Sequence, residues 1–293
     1  MDTENVGKNP ETELLEAAFL ARTLARTLCR SGNSPEGCDW YHGSWPFLRL
    51  LNGMATSEVH GAFYRAEVAR MAIDPAFASI LITGSADYSM LKLLAESWPP
   101  VPGRSAFTVL DLCATPLALC RWYGEKAGVP VVTVHQDILD SMPAEQFDAV
   151  FTHAFMGNFD DDDRERLIRQ WAHVLRRGGR VVTVQRVREG FRCDRVGFTH
   201  AEAGAFTAQV QNLVQKRPIA GIDAHEIVEM ARVYTERFSS FPIRSSSGLE
   251  VSFLKAGFRL ERFERTVGSG VEGVTGPSVP NTNGYYLISA QRV

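Results

Sequence analysis

The sequence predicts an α/β fold: a seven-stranded, mostly parallel sheet with helices on both faces and an antiparallel last strand, plus helical N-terminal and inserted cap segments. Three observations support this prediction. From residue 79 onward, short apolar runs alternate with helical patterns, which is typical of βαβ units and a parallel sheet. The last two strand patterns are joined by a loop alone, so they can pair as an antiparallel hairpin. The 293 residues, 45% of them hydrophobic, are enough to bury such a core.

Residues 1–75 are predicted to form a helical N-terminal cap. Apolar residues recur at helical spacing in 11–30, 45–51 and 56–71. Between the first two helices lies a cluster, residues 38–45, that is rich in aromatic and hydrogen-bonding groups. Such a cluster suits either a packing junction between helices or a lid that faces a ligand, and both interpretations stay open.

The central region alternates strands with helices. Strands are predicted at 79–83, 107–110, 131–134, 147–152 and 180–187, and helices at 89–97, 115–127 and 160–177. The last of these helices opens with four aspartates, which suit the positive end of a helix dipole better than a metal site. Ligands bind such sheets at the carboxyl ends of the strands, so the residues that follow the first four strands are candidates for a binding site.

The pattern changes after the fifth strand. Residues 190–246 are predicted to form a helical insertion, with helices at 198–216 and 222–238, that covers the pocket. A helix at 247–254 and strands at 258–266 and 284–292 follow, with a loop rich in Gly and Pro at 267–283. The main domain is therefore expected to span 76–293.

Composition excludes several classes of protein. A net charge of −3 argues against nucleic-acid binding, and no apolar run is long enough for a transmembrane helix, so neither a nucleic acid nor a membrane is expected as a partner. The polar N-terminus lacks the pattern of a secretory signal, which indicates a cytoplasmic protein. The five cysteines form no CxxC pair, which favours reduced thiols and no metal site.

Several short motifs, in this order, resemble the class I S-adenosylmethionine-dependent methyltransferases, which have a Rossmann-like fold. They are the apolar strand into Gly84, Asp111 at the end of the second strand, Gln136-Asp137-Ile138 after the third, 147–150 at the start of the fourth and 175–180 before the fifth. The resemblance covers about 79–188 and 247–293. It implies S-adenosylmethionine as the cofactor and transfer of its methyl group, by in-line displacement in an enclosed pocket, to N, O or thioether S of a small molecule.

The resemblance also implies roles for the cofactor-binding residues. Asp111 would accept hydrogen bonds from the ribose hydroxyls, and Asp137 would accept one from the adenine amine. Leu112 and Ile138 would enclose the adenine, and Gly84 would let the backbone approach the methionine end. The expected cofactor-binding set is Gly84, Ser85, Ala86, Asp87, Tyr88, Asp111, Leu112, Asp137, Ile138 and Thr152.

The glycine loop departs from the family pattern. Ala86 and Tyr88 stand where the family usually has its later glycines, and Ile82 stands where it usually has an acidic residue. Asp87 or Tyr88 is therefore expected to supply contacts to the amino-acid end of the cofactor.

On the acceptor side, His153 follows the fourth strand, and His42 and Tyr41 belong to the N-terminal cluster. These three are the candidate catalytic residues, because a hydroxyl acceptor needs a base nearby. Trp45 and Arg244 are expected to contact the substrate, Arg244 through a carboxylate. The expected partner is a small-molecule methyl acceptor, and a homodimer is left open.

Two alternatives to an active methyltransferase stay open. One is a catalytically inactive, methyltransferase-like binding or scaffold protein, since the glycine loop is altered. The other is an NAD(P)-dependent oxidoreductase, which also uses a glycine turn and an acidic residue after the second strand. Residues 84–89 lack the GxGxxG glycines that such an enzyme needs.

Overall fold

The computed structural model describes residues 10–29, 37–52, 54, 56–74, 77–98, 107–140, 142–266 and 283–293. Its helices are α1 (Pro10–Leu28), α2 (Asp39–His42), α3 (Trp45–Leu50), α4 (Gly61–Ala72), α5 (Ser89–Ser97), α6 (Ala114–Ala127), α7 (Asp161–Val174), α8 (His200–Lys216), α9 (Ala224–Arg237) and α10 (Ser246–Lys255). Its strands are β1 (Ile80–Thr83), β2 (Phe107–Asp111), β3 (Val131–His135), β4 (Phe147–His153), β5 (Leu175–Arg188), β6 (Phe258–Thr266) and β7 (Asn283–Arg292).

The seven strands form one sheet in the order β3-β2-β1-β4-β5-β7-β6. Strands β1 to β5 are parallel, and β7 runs antiparallel to both of its neighbours. The predicted fold class is therefore confirmed, including the antiparallel last strand. The strand order reverses between β1 and β4, so the switch point lies at the carboxyl ends of these two strands, where α/β proteins bind their ligands.

Helices cover both faces of the sheet, as predicted. Ile80 and Ile82 of β1 pack with side chains of α4, α5 and α6, whereas Leu81 packs with those of α7 and α10. Successive side chains of a strand point to opposite faces, so an apolar run without alternation, such as 80–82, is what a strand buried on both faces requires.

The boundary between α7 and β5 differs from the prediction. Asp160 caps α7 through its carboxylate, which accepts the Asp163 N–H at 2.9 Å. The strand begins at Leu175, so residues 176–179 belong to β5 and the predicted start at 180 is wrong. A register shift in the pairing of β4 with β5 accommodates these extra residues, which the two glycines had marked as a helix end.

The N-terminal segment and the insertion pack against each other. Leu48 of α3, Val210 of α8 and Ile227 of α9 lie in one buried cluster, and Trp40 and Tyr41 pack against it. We refer to α2, α3, α8 and α9 as the cap. The loop predicted at 267–283 lies outside the described residues except for its last position. Within the described ranges, no helix combines the length and apolar character that crossing a bilayer requires.

Candidate active site

A cavity of about 730 Å³ lies between the cap and the carboxyl edge of the sheet. The cap contributes Trp40, Tyr41 and Tyr234 to its wall, and the sheet contributes the residues that follow β1 to β4. The volume falls within the range of about 300–1,000 Å³ that is usual for small-molecule sites. The predicted site residues that line it are Tyr41, His42, Trp45, Gly84, Ser85, Ala86, Asp87, Asp111, Leu112, Asp137, Ile138 and His153.

Asp111, at the end of β2, is oriented by two backbone donors. Its Oδ2 accepts the Ser85 N–H at 2.8 Å, and its Oδ1 accepts the Cys113 N–H at 2.7 Å. Each carboxylate oxygen keeps further acceptor capacity, so the group can still bind the hydroxyls of a ligand. Burial raises the pKa of the Asp111 carboxyl, and the nearby His42 and the two N–H groups partly offset this rise.

Leu112, Asp137 and Ile138 line the cavity near Asp111. Leu112 is 48% exposed, and Ile138 is 2% exposed. Asp137 accepts the Leu139 N–H through Oδ1 at 2.9 Å. Its Oδ2 retains acceptor capacity for a ligand N–H. Apolar side chains beside such an acceptor are the environment that a purine ring with an exocyclic amine requires.

The space beside the turn after β1 is filled by a side chain, whereas the cofactor was expected to approach the backbone there. Gly84 has φ 67°, a conformation that glycine adopts without strain. A Cβ at this position would lie 2.1 Å from the Phe155 ring. The ring therefore fills the space in front of Gly84, and a ligand can approach this backbone only if Phe155 moves.

Asp87 lines the cavity, but its carboxylate already has partners. Oδ2 accepts a hydrogen bond from Arg49 of α3 at 2.9 Å, and Oδ1 accepts the Ser89 N–H at 2.7 Å. Asp87 is 1% exposed and Arg49 is 9% exposed, so this ion pair is buried. In this structure the carboxylate expected to contact the cofactor's amino-acid end instead joins the sheet to the cap.

Tyr88, Thr152 and Arg244 lie outside the cavity wall. Tyr88 and Thr152 are each 1% exposed and belong to the packed interior. Arg244 pairs with Asp161 at 3.0 Å and with Asp194 at 2.9 Å. None of these three side chains lines the cavity in this structure, because a residue's position after a strand does not fix the direction of its side chain, and their predicted contacts with a ligand stay predictions.

Of the two ring nitrogens of His153, Nδ1 is hydrogen-bonded to Tyr64, and Nε2 has no hydrogen-bond partner among the described residues. The Tyr64 hydroxyl donates to the Thr152 carbonyl at 2.8 Å, so it accepts from His153 Nδ1, which lies 3.0 Å away. The proton therefore sits on Nδ1, and Nε2 carries a lone pair. That Nε2 is buried, and no described residue donates to it.

Burial lowers the pKa of His153 to about 3, and the charge of His60 contributes to this decrease. The two imidazole rings have their centroids 5.4 Å apart, and burial lowers the pKa of His60 as well. Both rings are therefore neutral near pH 7. His153 can accept a hydrogen bond there, but it is a weak base.

Aromatic side chains form the part of the wall that the cap contributes. The ring of Tyr41 stacks on Tyr234 with centroids 6.3 Å apart, and lies 5.2 Å from the ring of Trp45. Trp45 Nε1 and Ser57 Oγ are buried with no hydrogen-bond partner in the described part of the chain. Burial and the nearby charges of Asp87 and Asp111 raise the pKa of the Tyr41 hydroxyl, which favours its protonated form near neutral pH.

Two arginines of β5, Arg186 and Arg188, also line the cavity. Burial and the neighbouring charge of Arg186 lower the pKa of Arg188 to about 10, so it remains positive near neutral pH. The cavity thus contains the cationic groups that were expected at Arg244.

Three cysteines and one histidine meet in the cavity wall. Cys113 Sγ lies 3.5 Å from the Sγ atoms of Cys29 and Cys38, and Cys29 Sγ lies 3.5 Å from His42 Nδ1. These four side-chain atoms lie within 4.8 Å of one another. These four residues could hold a metal ion, whereas the sequence spacing favoured no metal site. Spacing along the sequence missed the group because α1, α2 and the start of α6 each contribute to it.

Sequence reasoning also missed Phe155, Ser57, Gln185 and Tyr285, which line the cavity. Phe155 comes two residues after β4, so the rule that ligands bind at strand ends could have indicated it. Ser57 and Tyr285 reach the cavity through the packing of distant segments, which leaves no local signal.

Comparison with known proteins agrees with this architecture. Residues 80–179 match the family model of a methyltransferase domain. Similar solved structures include S-adenosylmethionine-dependent methyltransferases of Clostridium acetobutylicum (10% identity, TM-score 0.51, 84% of this chain and 96% of that one) and Mesorhizobium loti (17%, 0.50, 80% and 100%). The cyclase SpnF is similar too (15%, 0.50, 78% and 79%). None of the curated proteins matches the chain.

The cavity residues fit S-adenosylmethionine. Asp111 and Asp137 present acceptors at the ends of neighbouring strands, beside Leu112 and Ile138. Ser85 Oγ is buried at the same turn with no partner among the residues that the structure describes, so a polar ligand would satisfy it. Together with the sheet order, the match of residues 80–179 shows a methyltransferase domain with a Rossmann-like fold.

Proposed function

We propose that the enzyme methylates a small molecule on a hydroxyl or amine that donates a hydrogen bond to His153. The observation that supports this most directly is the lone pair on buried Nε2, to which no described residue donates. A thioether has no hydrogen to donate and would leave this nitrogen unsatisfied, at a cost of about 1–3 kcal/mol. Thioether sulfur is therefore the less favoured acceptor atom.

In this proposal the nucleoside of the cofactor binds Asp111 and Asp137. Bound S-adenosylmethionine would supply an activated methyl group, whose bond to sulfur would break as the bond to the acceptor forms, leaving S-adenosylhomocysteine, and the acceptor's proton would leave to solvent. The residues of the cavity mainly align the acceptor and exclude water from it. The altered glycine turn at Gly84 binds the methionine end after the Phe155 ring moves aside.

His153 orients the acceptor atom, because its pKa of about 3 makes it too weak a base to remove a proton in advance. Its hydrogen bond directs an acceptor lone pair and increases the electron density on that atom. Tyr64 is a positioning residue in this scheme, since it holds the tautomer that leaves Nε2 free of a proton.

The rest of the cavity indicates the shape of the acceptor. Arg186 and Arg188 suit a carboxylate or another anionic group, and Tyr41, Trp45 and Tyr234 suit an aromatic or apolar body. The cap covers one side of this space, which favours a small molecule over a protein or nucleic acid.

Metabolite extracts incubated with methyl-labelled cofactor test the proposal. We expect one anionic compound to gain the label on oxygen or nitrogen, at a rate reduced in His153→Leu. Label on a thioether sulfur would contradict the assigned acceptor class. The absence of any labelled product, with S-adenosylhomocysteine failing to raise the melting temperature, would support the inactive scaffold instead.

The proposal also includes a helical N-terminal segment (1–75) in front of the catalytic domain, a cytoplasmic location and a homodimer. Five unpaired cysteines are consistent with a reducing compartment. Light scattering and cell fractionation test the assembly and the location. A melting-temperature rise with NAD(P)H in place of S-adenosylhomocysteine would instead support the oxidoreductase.

A further inference from the structure

The group formed by Cys29, Cys38, His42 and Cys113 is not used by the proposed methyl transfer. Cys29 is 1% exposed, His42 is 7% exposed and Cys113 is 8% exposed. Single buried thiols are common in protein cores, but three thiols and an imidazole with side-chain atoms within 4.8 Å of one another form a set of soft metal-ligand atoms. The group therefore calls for a specific explanation.

The spacing of the four side-chain atoms matches tetrahedral coordination. Zinc binds sulfur at about 2.3 Å and imidazole nitrogen at about 2.0–2.1 Å, so tetrahedral ligands lie about 3.8 Å apart for two sulfurs and about 3.5 Å apart for sulfur and nitrogen. The observed separations are 3.5 Å for Cys29–Cys113 and Cys38–Cys113 sulfurs and 3.5 Å for Cys29 Sγ to His42 Nδ1. The other three separations are at most 4.8 Å, so one ion fits at the centre after shifts of about 1 Å or less.

Local backbone features bring the four residues together. Cys38 and His42 are four residues apart on one helical turn, which places them on the same face. Gly37 has φ 68°, and a Cβ there would lie 3.2 Å from the Cys29 carbonyl oxygen. Glycine at this position therefore lets the chain return beside the end of α1, where Cys29 lies.

We propose that Cys29, Cys38, His42 and Cys113 bind one zinc ion in a closed, structural site. Four protein ligands leave no open position, which is typical of structural rather than catalytic zinc. The sulfur-rich, tetrahedral donor set selects zinc over harder cations such as Mg²⁺ or Ca²⁺. Binding involves no redox step: the thiols coordinate as thiolates, and their protons leave to solvent.

A second ring of contacts supports the ligands. The Thr115 hydroxyl lies 3.1 Å from Cys29 Sγ, where it can donate to a coordinated thiolate. The Cys113 N–H donates to Asp111 Oδ1 at 2.7 Å, so the position of Cys113 also sets the orientation of this carboxylate. The ion would thus attach α1 and α2 to the start of α6, next to the proposed nucleoside site.

Metal analysis of the purified full chain tests the site. After dialysis against a weak chelator, we expect about one zinc per wild-type chain by mass spectrometry, and about one per chain in Cys193→Ser and Cys120→Ser, whose cysteines lie outside the group. In Cys38→Ala and Cys29→Ala the zinc content should fall at least several-fold.

A second measurement remains informative if those variants fail to fold. Cobalt titrated into zinc-stripped wild-type protein should produce sulfur-to-metal charge transfer and the strong visible bands of a tetrahedral site, saturating at one equivalent. Octahedral cobalt spectra, no zinc in protein with all thiols reduced, or a mass two hydrogens lighter from a disulfide within the group would overturn the proposal. These readouts do not involve methyl transfer, so failure here leaves the proposed reaction untouched.

Discussion

The two ends of the cavity differ in how their polar groups are satisfied. At the Asp111 end, both carboxylate oxygens accept backbone N–H groups at 2.7–2.8 Å, so the group is fixed before any ligand arrives. At the His153 end, the His153 Nε2 atom is buried with no partner among the described residues, and the same holds for Trp45 Nε1 and Ser57 Oγ elsewhere in the cavity wall. The Asp111 carboxylate is thus preorganised by backbone donors, with only the neighbouring Ser85 Oγ lacking a partner among the described residues, whereas the His153 ring has binding capacity that a substrate must satisfy.

This difference assigns binding affinity and specificity to separate parts of the chain. Backbone donors at strand ends depend on the fold alone, and they suit a cofactor that many related enzymes share. Side chains such as Trp45, Ser57 and His153, whose polar atoms lack a partner among the described residues, select the ligand that satisfies them, because a wrong ligand leaves them unpaired. The Arg49–Asp87 ion pair joins these two parts of the chain. Replacing one of its residues should therefore disturb both parts at once.

Replacing Arg49 by Leu should have the largest effect. The change leaves Asp87 buried without its cation, and breaking a buried ion pair in this way costs about 3–5 kcal/mol. Urea denaturation should show a decrease of this size in the free energy of unfolding. Asp87→Asn in the Arg49→Leu background should recover part of it. Arg169→Leu, which removes an exposed ion pair, is the control. A decrease in the free energy of unfolding no greater than in this control would show that the Arg49–Asp87 ion pair contributes little to stability.

Asp111→Ala should weaken the cofactor end selectively. A hydrogen bond to a charged group contributes about 1.5–3 kcal/mol, so the affinity for S-adenosylhomocysteine should fall about 10- to 150-fold. Calorimetric titration measures this change, with Glu250→Ala as a control at an exposed carboxylate. Equal affinities in the two variants would place the nucleoside elsewhere.

The same contrast explains what could be predicted from the sequence. The strands could be predicted from their apolar runs. Asp111 and Asp137 could be predicted as site residues from the rule that ligands bind at strand ends. The pairing of Arg49 with Asp87, and of Cys29 with Cys113 across 84 positions, depends on how the N-terminal helices dock on the sheet. No periodicity or local spacing encodes that docking, so the cap side of the site could be predicted only in outline.

His153→Leu should affect the acceptor end alone. Loss of one neutral hydrogen bond, about 0.5–1.5 kcal/mol, should lower kcat/KM for the acceptor about 2- to 13-fold. The Kd for S-adenosylhomocysteine should stay at the wild-type value, as it should in the control His225→Leu. A fall in cofactor affinity equal to the fall in kcat/KM would mean that His153 acts on both ligands and that the two ends are not separate.

The last expected effect is a pH dependence of stability that originates at the His153 end. The folded-state pKa of His153, about 3, lies below the unfolded value of about 6.5, so the unfolded chain binds more protons between these values. Folding is therefore favoured least at low pH: stability should fall as pH drops below about 6.5, by at most about 1.4 kcal/mol per pH unit from this residue. His60, whose pKa is also lowered by burial, acts in the same direction. Urea denaturation measures the difference in the free energy of unfolding between pH 7.5 and pH 5.5. This difference should be smaller in His153→Leu than in wild type, and smaller again when His60→Leu is added. An unchanged difference would mean that these rings are protonated in the folded protein as readily as in the unfolded chain.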